Sequence, residues 1–197
     1  MPCQIKRKFV VAVPRNAKSA ATLISIGADE IHMGPLGHLG PIDPQLDGLP
    51  ALGVVKALKT IASLTEEHPG SAKMFSMYLH STLTTEQIGY CERISESAEQ
   101  YAVRLLSNKQ NLKDSSAEIA RELVREYKHH GFVIDAEEAK EHLGNEWIKT
   151  DTTEVAFAEE LYELFDDYNL FLNLHQKKRI LLVGGLDDVL TLDVPRR

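Results

Sequence analysis

Ser19 is the residue of this chain best placed to do covalent chemistry. A β-branched run, Phe9-Val10-Val11-Ala12-Val13, stops at Pro14. A polar turn, Arg15-Asn16-Ala17-Lys18, follows, and small and aliphatic residues then run from Ser19 to Ile26 before Gly27. The pattern predicts a short strand, a tight turn and a helix, with Ser19 at the handover. Two roles are open to a hydroxyl there. It can cap the helix, accepting a backbone N–H of the first turn. Or it can attack a carbonyl while free N–H groups of that turn, notably that of Ala20, stabilise the oxyanion. Spacing alone favours the cap, because serine is among the preferred N-cap residues.

Other reactive side chains read more plainly. His129-His130-Gly131 falls at the predicted end of a helix, where cationic histidines suit the dipole and glycine suits the C′ position. A metal site would need further ligands at suitable spacing, and the sequence offers none. Lys56 and Lys59 sit at the edge of a predicted helix, the usual place for solvated lysines. Cys3 and Cys91 form neither a disulfide framework nor a ligand cluster and are expected to be free thiols.

The elements that must position Ser19 follow in order. Phe9–Val13 is expected to be a strand buried on both faces, and Glu30–Met33 a second strand. Pro35 to Leu49, rich in glycine and proline, is expected to be a long loop of the kind that often carries function. Two strands make no stable sheet alone, so an open edge is expected that must be covered or paired. Pro50 starts a helix to about Leu64, and Glu66 to Gly70 is a turn. Thr84 with Gln87 predicts a capping box opening an amphipathic helix of about six turns. Ser115 with Glu118 predicts another, with Ile119, Leu123, Val124 and Tyr127 on its apolar face. Phe132-Val133-Ile134 is extended, and Asp135 with Glu138 caps a short helix ended by Gly144. From Thr153 to about Leu174 runs an aromatic-rich helix, expected to be core or subunit interface. Ile180 to Gly185 is a tail strand; its Val-Gly-Gly lacks the rest of any dinucleotide or P-loop fingerprint.

The 197 residues suffice for one domain with a real core, and a net charge of −7 argues against a nucleic-acid-binding surface. The apolar run after Lys6-Arg7-Lys8 is shorter than a signal-peptide core, and no stretch is long enough for a membrane span. The expectation is a cytoplasmic protein.

Ala17-Lys18-Ser19-Ala20-Ala21-Thr22-Leu23-Ile24, Gly27-Ala28-Asp29-Glu30-Ile31, Met33-Gly34-Pro35 and Leu39-Gly40-Pro41-Ile42-Asp43-Pro44-Gln45 closely resemble the serine dehydrogenase proteinase family. That family belongs to the Clp protease/crotonase superfamily and is related to signal peptide peptidase A. A weaker match continues at Tyr127-Lys128-His129-His130-Gly131-Phe132-Val133-Ile134-Asp135. The resemblance implies an α/β, Clp/crotonase-like fold, here N-terminally truncated and helix-rich. Relatives carry a further βαβ segment whose Gly-Gly turn supplies a second oxyanion donor, whereas eight residues precede Phe9. It implies a single domain over 1–197: a nucleophile-bearing core at 1–67, a helical part at 68–175 and a tail at 176–197.

By the same resemblance Ser19 is the nucleophile of a serine peptidase and the Ala20 N–H one oxyanion donor. Ala21 stands where the superfamily usually has a small residue, often glycine. The base is left open. Clp-type enzymes draw a histidine from the loop after the second strand, a position that falls here near Ile42-Asp43, with His38 four residues before Ile42. Signal peptide peptidases use a lysine, for which Lys56 and Lys59 are the candidates. Asp43, His38 and Lys59 are thus the candidate base or orienting groups. The implied function is hydrolysis of peptide bonds through a Ser19 acyl-enzyme, on a peptide or protein substrate, by a homo-oligomer without cofactor or metal. The alternative is a catalytically degenerate relative acting as an oligomeric scaffold or interaction module. Acyl-CoA chemistry, the crotonase activity, lacks identifiable adenine or pantetheine contacts.

Overall fold

The computed structural model describes residues 8–46, 49–177, 180–184 and 189–193. Cys3, Lys6, Arg7, Lys178, Arg179 and Gly185 lie outside them. Val10–Val13 forms β1 and Asn16–Ala17 the two-residue β2. Ala20–Ile26 is helix α1, closed at Gly27, and Glu30–Met33 is β3. β1 and β3 pair in parallel, Val10 opposite Glu30 and Val13 opposite Met33. Parallel strands cannot be joined by a tight hairpin, and the β2–α1 segment is the crossover that joins these. On its other side β3 pairs in parallel with β7 (Ile148–Lys149).

The middle strand is the buried one. Ile31, His32 and Met33 are buried, whereas in β1 only Val13 is. The expectation that β1 is buried on both faces therefore fails, and the reason is topological. β1 is an edge strand among the described residues, with pairing on one side alone.

The expected long loop carries structure of its own. His38–Leu39 is β4, parallel to β2, with Asn16 opposite His38 and Ala17 opposite Leu39. Gln45–Leu46 (β5) and Leu49–Pro50 (β6) form a small antiparallel pair. Glycine is required at Gly37, where a Cβ would stand 2.2 Å from the Val13 carbonyl oxygen.

Helix α2 spans Ala51–Glu67, a 3₁₀ turn Pro69–Ser71, and α3 Ala72–Thr82, a helix the sequence reading passes over. α4 (Thr85–Leu106) opens on the expected capping box: Thr84 accepts the Gln87 N–H and the Gln87 side chain accepts the Thr84 N–H. The next helix departs from expectation. Ser115 makes no side-chain cap; its hydroxyl goes to the Leu112 carbonyl instead. α5 runs only from Ser116 to Arg121 and passes into a π-helical turn at Glu122–Glu126. The Leu123 carbonyl, which would continue the α-ladder, accepts the Ile42 N–H at 2.8 Å.

α6 (Ala136–Leu143) is capped by Asp135, which accepts the Glu137 and Glu138 N–H groups, and ends at Gly144 with φ 89°. α7 is Thr153–Gln176, capped by Thr152. β8 (Ile180–Gly184) folds back on β9 (Val189–Asp193) as an antiparallel hairpin.

One core joins the parallel sheet to α1, α4, α5 and α6. Val13, Ile26, Ile31, Leu39, Leu106 and Ile134 are buried in a single cluster between the parallel sheet, α1, α4 and the segment from α5 to α6. The aromatic stripe of α7 is not part of it: Phe157, Leu161, Tyr168 and Phe171 are exposed. Among the described residues no helix is long and apolar enough to cross a membrane.

Candidate active site

Ser19 stands at the junction of β2 and α1 with φ 55° and ψ −116°. This region is natural for glycine and strained for a residue with a Cβ, at a cost of order 1–3 kcal/mol, and it persists only where the surroundings over-determine it. The surroundings do so here. The Ser19 N–H donates to the Pro41 carbonyl at 3.0 Å, and the Ser19 carbonyl accepts from Leu23. The Ala21 N–H turns back to Lys18 at 3.0 Å, whereas the Ala20 N–H has no acceptor among the described residues. The Ser19 hydroxyl makes no capping bond. Of the two roles the sequence leaves open, the cap is therefore not taken. What remains is a half-buried hydroxyl at a sharp strand-to-helix turn, next to a free backbone N–H, the local geometry of a nucleophile elbow.

Thr22 fastens this turn to β4. Its buried hydroxyl lies 2.6 Å from the Ala17 carbonyl and 2.8 Å from the Gly40 carbonyl, and it accepts the Gly40 N–H at 3.2 Å. Nothing in the spacing marks Thr22 as more than one more small residue of the helical run. Gly40 matters on its other side: a Cβ there would lie 2.6 Å from Lys18 Cγ. The bare glycine lets the Lys18 side chain pass over it, and Lys18 Nζ donates to the Gly131 carbonyl at 2.8 Å.

The candidate base residues separate in space. Asp43 is 5 % exposed, two residues beyond the carbonyl that holds Ser19. Its Oδ1 is 2.5 Å from His130 Nδ1, and its Oδ2 accepts from Gln45 Nε2 at 3.0 Å. His38 pairs by backbone with the strand before Ser19, opposite Asn16, and its ring takes the Leu36 carbonyl at 3.2 Å. That register sets it three residues, roughly 10 Å at strand spacing, behind Ser19. Lys56 and Lys59 are exposed on α2.

His130, which is not among the candidates read from the sequence, is the residue the structure brings to Asp43. Read from spacing, it ends a helix and meets the dipole. In the structure the helix stops at Glu126, Tyr127 is already extended (φ −68°, ψ 127°), and His129 and His130 lie in the loop beyond. The weak family match at 127–135 was the available signal. The loop is held from several sides. The Gly131 N–H donates to His129 Nδ1 at 2.9 Å, and Ile134 exchanges both backbone bonds with Leu39, at 2.9 and 3.1 Å. Tyr127 donates its hydroxyl to Glu138 at 2.5 Å and meets His142 at 3.0 Å, while its ring packs on Phe132. Burial and the Glu138 carboxylate push the Tyr127 phenol well above its ordinary range, so this donor keeps its proton.

A groove of about 270 Å³ lies along the unpaired side of β1, lined by Val11–Ala17, Ala21, Ile24, Ser25 and Tyr162. It reaches Asn16, Ala17 and Ala21, the neighbours of Ser19. Arg15 in this lining is ion-paired to Glu159 at 3.1 Å and stacked over Tyr162. Among the described residues no group of His, Cys, Asp and Glu side chains could hold a metal ion. His32, buried in β3, is satisfied by Thr152 at 2.9 Å and Glu30 at 3.1 Å.

A parallel β–α–β unit with a strained serine at its strand–helix turn defines an α/β protein. More narrowly, the chain belongs to the family of ClpP-like SDH-type serine proteinases, whose pattern it matches over residues 3–183. It is similar to the uncharacterized protein MJ0137 of Methanocaldococcus jannaschii, 32% identical over 158 residues, which are 80% of this chain and 48% of that protein. It is also similar to the uncharacterized protein MJ1495 of the same organism, 40% identical over 52 residues, 26% of this chain and 18% of that one. The chain thus spans at most about half the length of these relatives. No solved structure matches it.

Proposed function

We propose that this protein is a serine peptidase-like hydrolase that cleaves peptide bonds through an acyl-enzyme on Ser19. The observation that carries the reading is the backbone of Ser19 itself. A non-glycine residue is held at φ 55° by a bond to Pro41, and its hydroxyl is not spent on capping. Strain at a position where glycine would serve the fold better points to a use for the hydroxyl. Membership of a serine-proteinase family supports the reaction class. The Ala20 N–H is the oxyanion donor, the next amide after the nucleophile and one without an acceptor among the described residues. A peptide or protein is the substrate, and the groove beside β1 is its natural approach.

A fluorophosphonate probe followed by intact mass tests this. Wild-type protein is expected to take up one phosphonyl group, and Ser19→Ala none. Wild-type protein that is folded by circular dichroism and takes up nothing would overturn the reading.

A second reading, an oligomeric scaffold, draws on a separate observation. Met77 of α3 and Leu164 and Leu174 of α7 are each about two-thirds exposed, more apolar surface than a monomer needs to leave uncovered. Homo-oligomerisation is compatible with both readings, and sedimentation velocity measures it directly. A monomer at micromolar concentration would remove the scaffold.

A further inference from the structure

We infer that α3 of one copy packs antiparallel against α7 of a second copy, through an apolar seam flanked by Lys73 and His80 on one helix and Asp167 and Glu160 on the other. The contact rests on the reading of this chain as an oligomer and is independent of the reaction at Ser19.

α7 carries two apolar stripes. Along the first, Val155 and Leu172 are buried and Tyr162 and Phe165 half-buried, and α7 packs along β1 and β3. The second, Phe157, Leu161, Leu164, Tyr168 and Phe171, is at least half exposed at every position. Its steps of four, three, four and three residues are those of the a and d positions of a heptad, the spacing by which one helix receives another. With 24 residues, α7 is long enough to present such a seam over three heptads. Uncovered apolar surface of this extent marks an interaction face.

Charge selects the partner. α7 holds Glu154, Glu159, Glu160, Glu163, Asp166 and Asp167 and no lysine or arginine. Two α7 helices laid together would set these acids against each other, which disfavours that pairing. α3 is the reverse: it holds Lys73 and His80 and no acid. Its Met74, Met77 and Tyr78 share one helix face and are all exposed. Both stripes are open in a single chain, so they do not cover each other within it. A second copy brings each stripe its complement.

Spacing then sets the direction. With Leu161 and Tyr168 at a, Glu160 and Asp167 fall at successive g positions. With Met74 at a and Met77 at d, Lys73 and His80 fall at successive g positions as well. One heptad, about 10.5 Å of helix, separates the members of each pair. In a parallel pair of helices g faces e of the partner, and in an antiparallel pair g faces g. Only the antiparallel arrangement therefore brings Lys73 to Asp167 and His80 to Glu160, and it seats Met74 on Leu164 and Met77 on Leu161. The four flanking side chains are exposed and have no ion-pair partner among the described residues.

The test is sedimentation velocity of the full chain at micromolar concentration and low ionic strength, with each variant checked for folding by circular dichroism. Wild type is expected to self-associate. Lys73→Glu and Asp167→Lys are each expected to weaken the association about 3- to 30-fold, because each turns an attraction into a repulsion. The double variant is expected to recover most of the loss. Leu164→Ser is expected to weaken association about 10- to 100-fold. Asp166→Lys changes the net charge as much as Asp167→Lys but lies on the far side of α7 from the seam, and is expected to leave association nearly unchanged. A monomeric wild type would overturn the inference together with the oligomeric reading, and would turn the search to a basic helix of another protein. An oligomer that Lys73→Glu does not weaken, or that the double variant does not recover, would overturn the α3–α7 contact while the oligomeric reading stands. Association strengthened by Asp167→Lys alone would also overturn it, in favour of two α7 helices paired with each other.

Discussion

The frame around Ser19 and the α2–α3 hairpin use similar side chains to opposite ends. In the frame, Ile26, Leu39 and Ile134 are at most 2 % exposed, and backbone bonds cross between segments far apart in the chain. In the hairpin, Met74, Met77 and Tyr78 are each about 60 % exposed, α2 buries only Ala51, and α3 buries no residue. The frame is over-determined and can hold a strained serine. The hairpin depends on hydrogen bonds within its helices and on the packing of α2 along α4. Regions with few buried apolar contacts open at lower free energy than the core.

Paired truncations give the largest contrast. Leu39→Ala is expected to cost about 2–5 kcal/mol in urea unfolding, because it empties a site closed on all sides. Met77→Ala should stay within about 0.5 kcal/mol. Equal losses would mean that the hairpin is as firmly packed in solution as the frame.

Next in size is Thr22→Val. The change keeps the shape but removes the hydroxyl from three backbone groups of Ala17 and Gly40. A loss of about 1–3 kcal/mol is expected from the polar groups left unpaired, together with slower fluorophosphonate labelling of Ser19. A stability loss without slower labelling would show that the turn keeps its geometry without this tie.

Ser19→Gly runs the other way. Glycine adopts φ 55° without penalty, so the variant should be more stable by up to about 1 kcal/mol while losing all labelling. A less stable variant would show that the hydroxyl serves the fold after all. A Met74→Ser, Met77→Ser double variant should leave the stability of the frame unchanged and lower any self-association seen by sedimentation velocity. Unchanged association would point to α7 instead.

The smallest effect is electrostatic. The Lys8 ammonium and then His32 hold the Glu30 carboxyl below its ordinary range, against an opposing desolvation. A carboxyl lowered on folding contributes stability that is fully present above its unfolded value and is lost as pH falls through the folded value. Glu30→Gln should therefore flatten the acid end of the stability profile and change nothing near neutrality. An unaltered acid limb would mean that the pair is too exposed to count.

Much of the frame was legible in the chain. A β-branched run stopped by Pro14, a small-residue helix closed by Gly27 and a second apolar run at Glu30–Met33 are local signals, and the elements formed there. The caps at Thr84 and Asp135 were legible for the same reason, since a cap is a contract between residues two or three apart. α3 was not, because Ala72–Thr82 opens on no capping residue that makes its bond and buries none of its apolar side chains. The capping box at Ser115 misled, because the Ser115 hydroxyl found the Leu112 carbonyl instead.

By itself the sequence determined which serine stands at a strand–helix handover and which short elements flank it, because those follow from neighbours along the chain. The tertiary structure decided how that serine is held and what faces it. The positive φ of Ser19 needs the Pro41 carbonyl, and the Asp43–His130 pair needs two loops 87 residues apart brought together by the Leu39–Ile134 bridge. Each of these is a bond between segments with no periodic relation to one another, and only the closed fold brings such segments within reach.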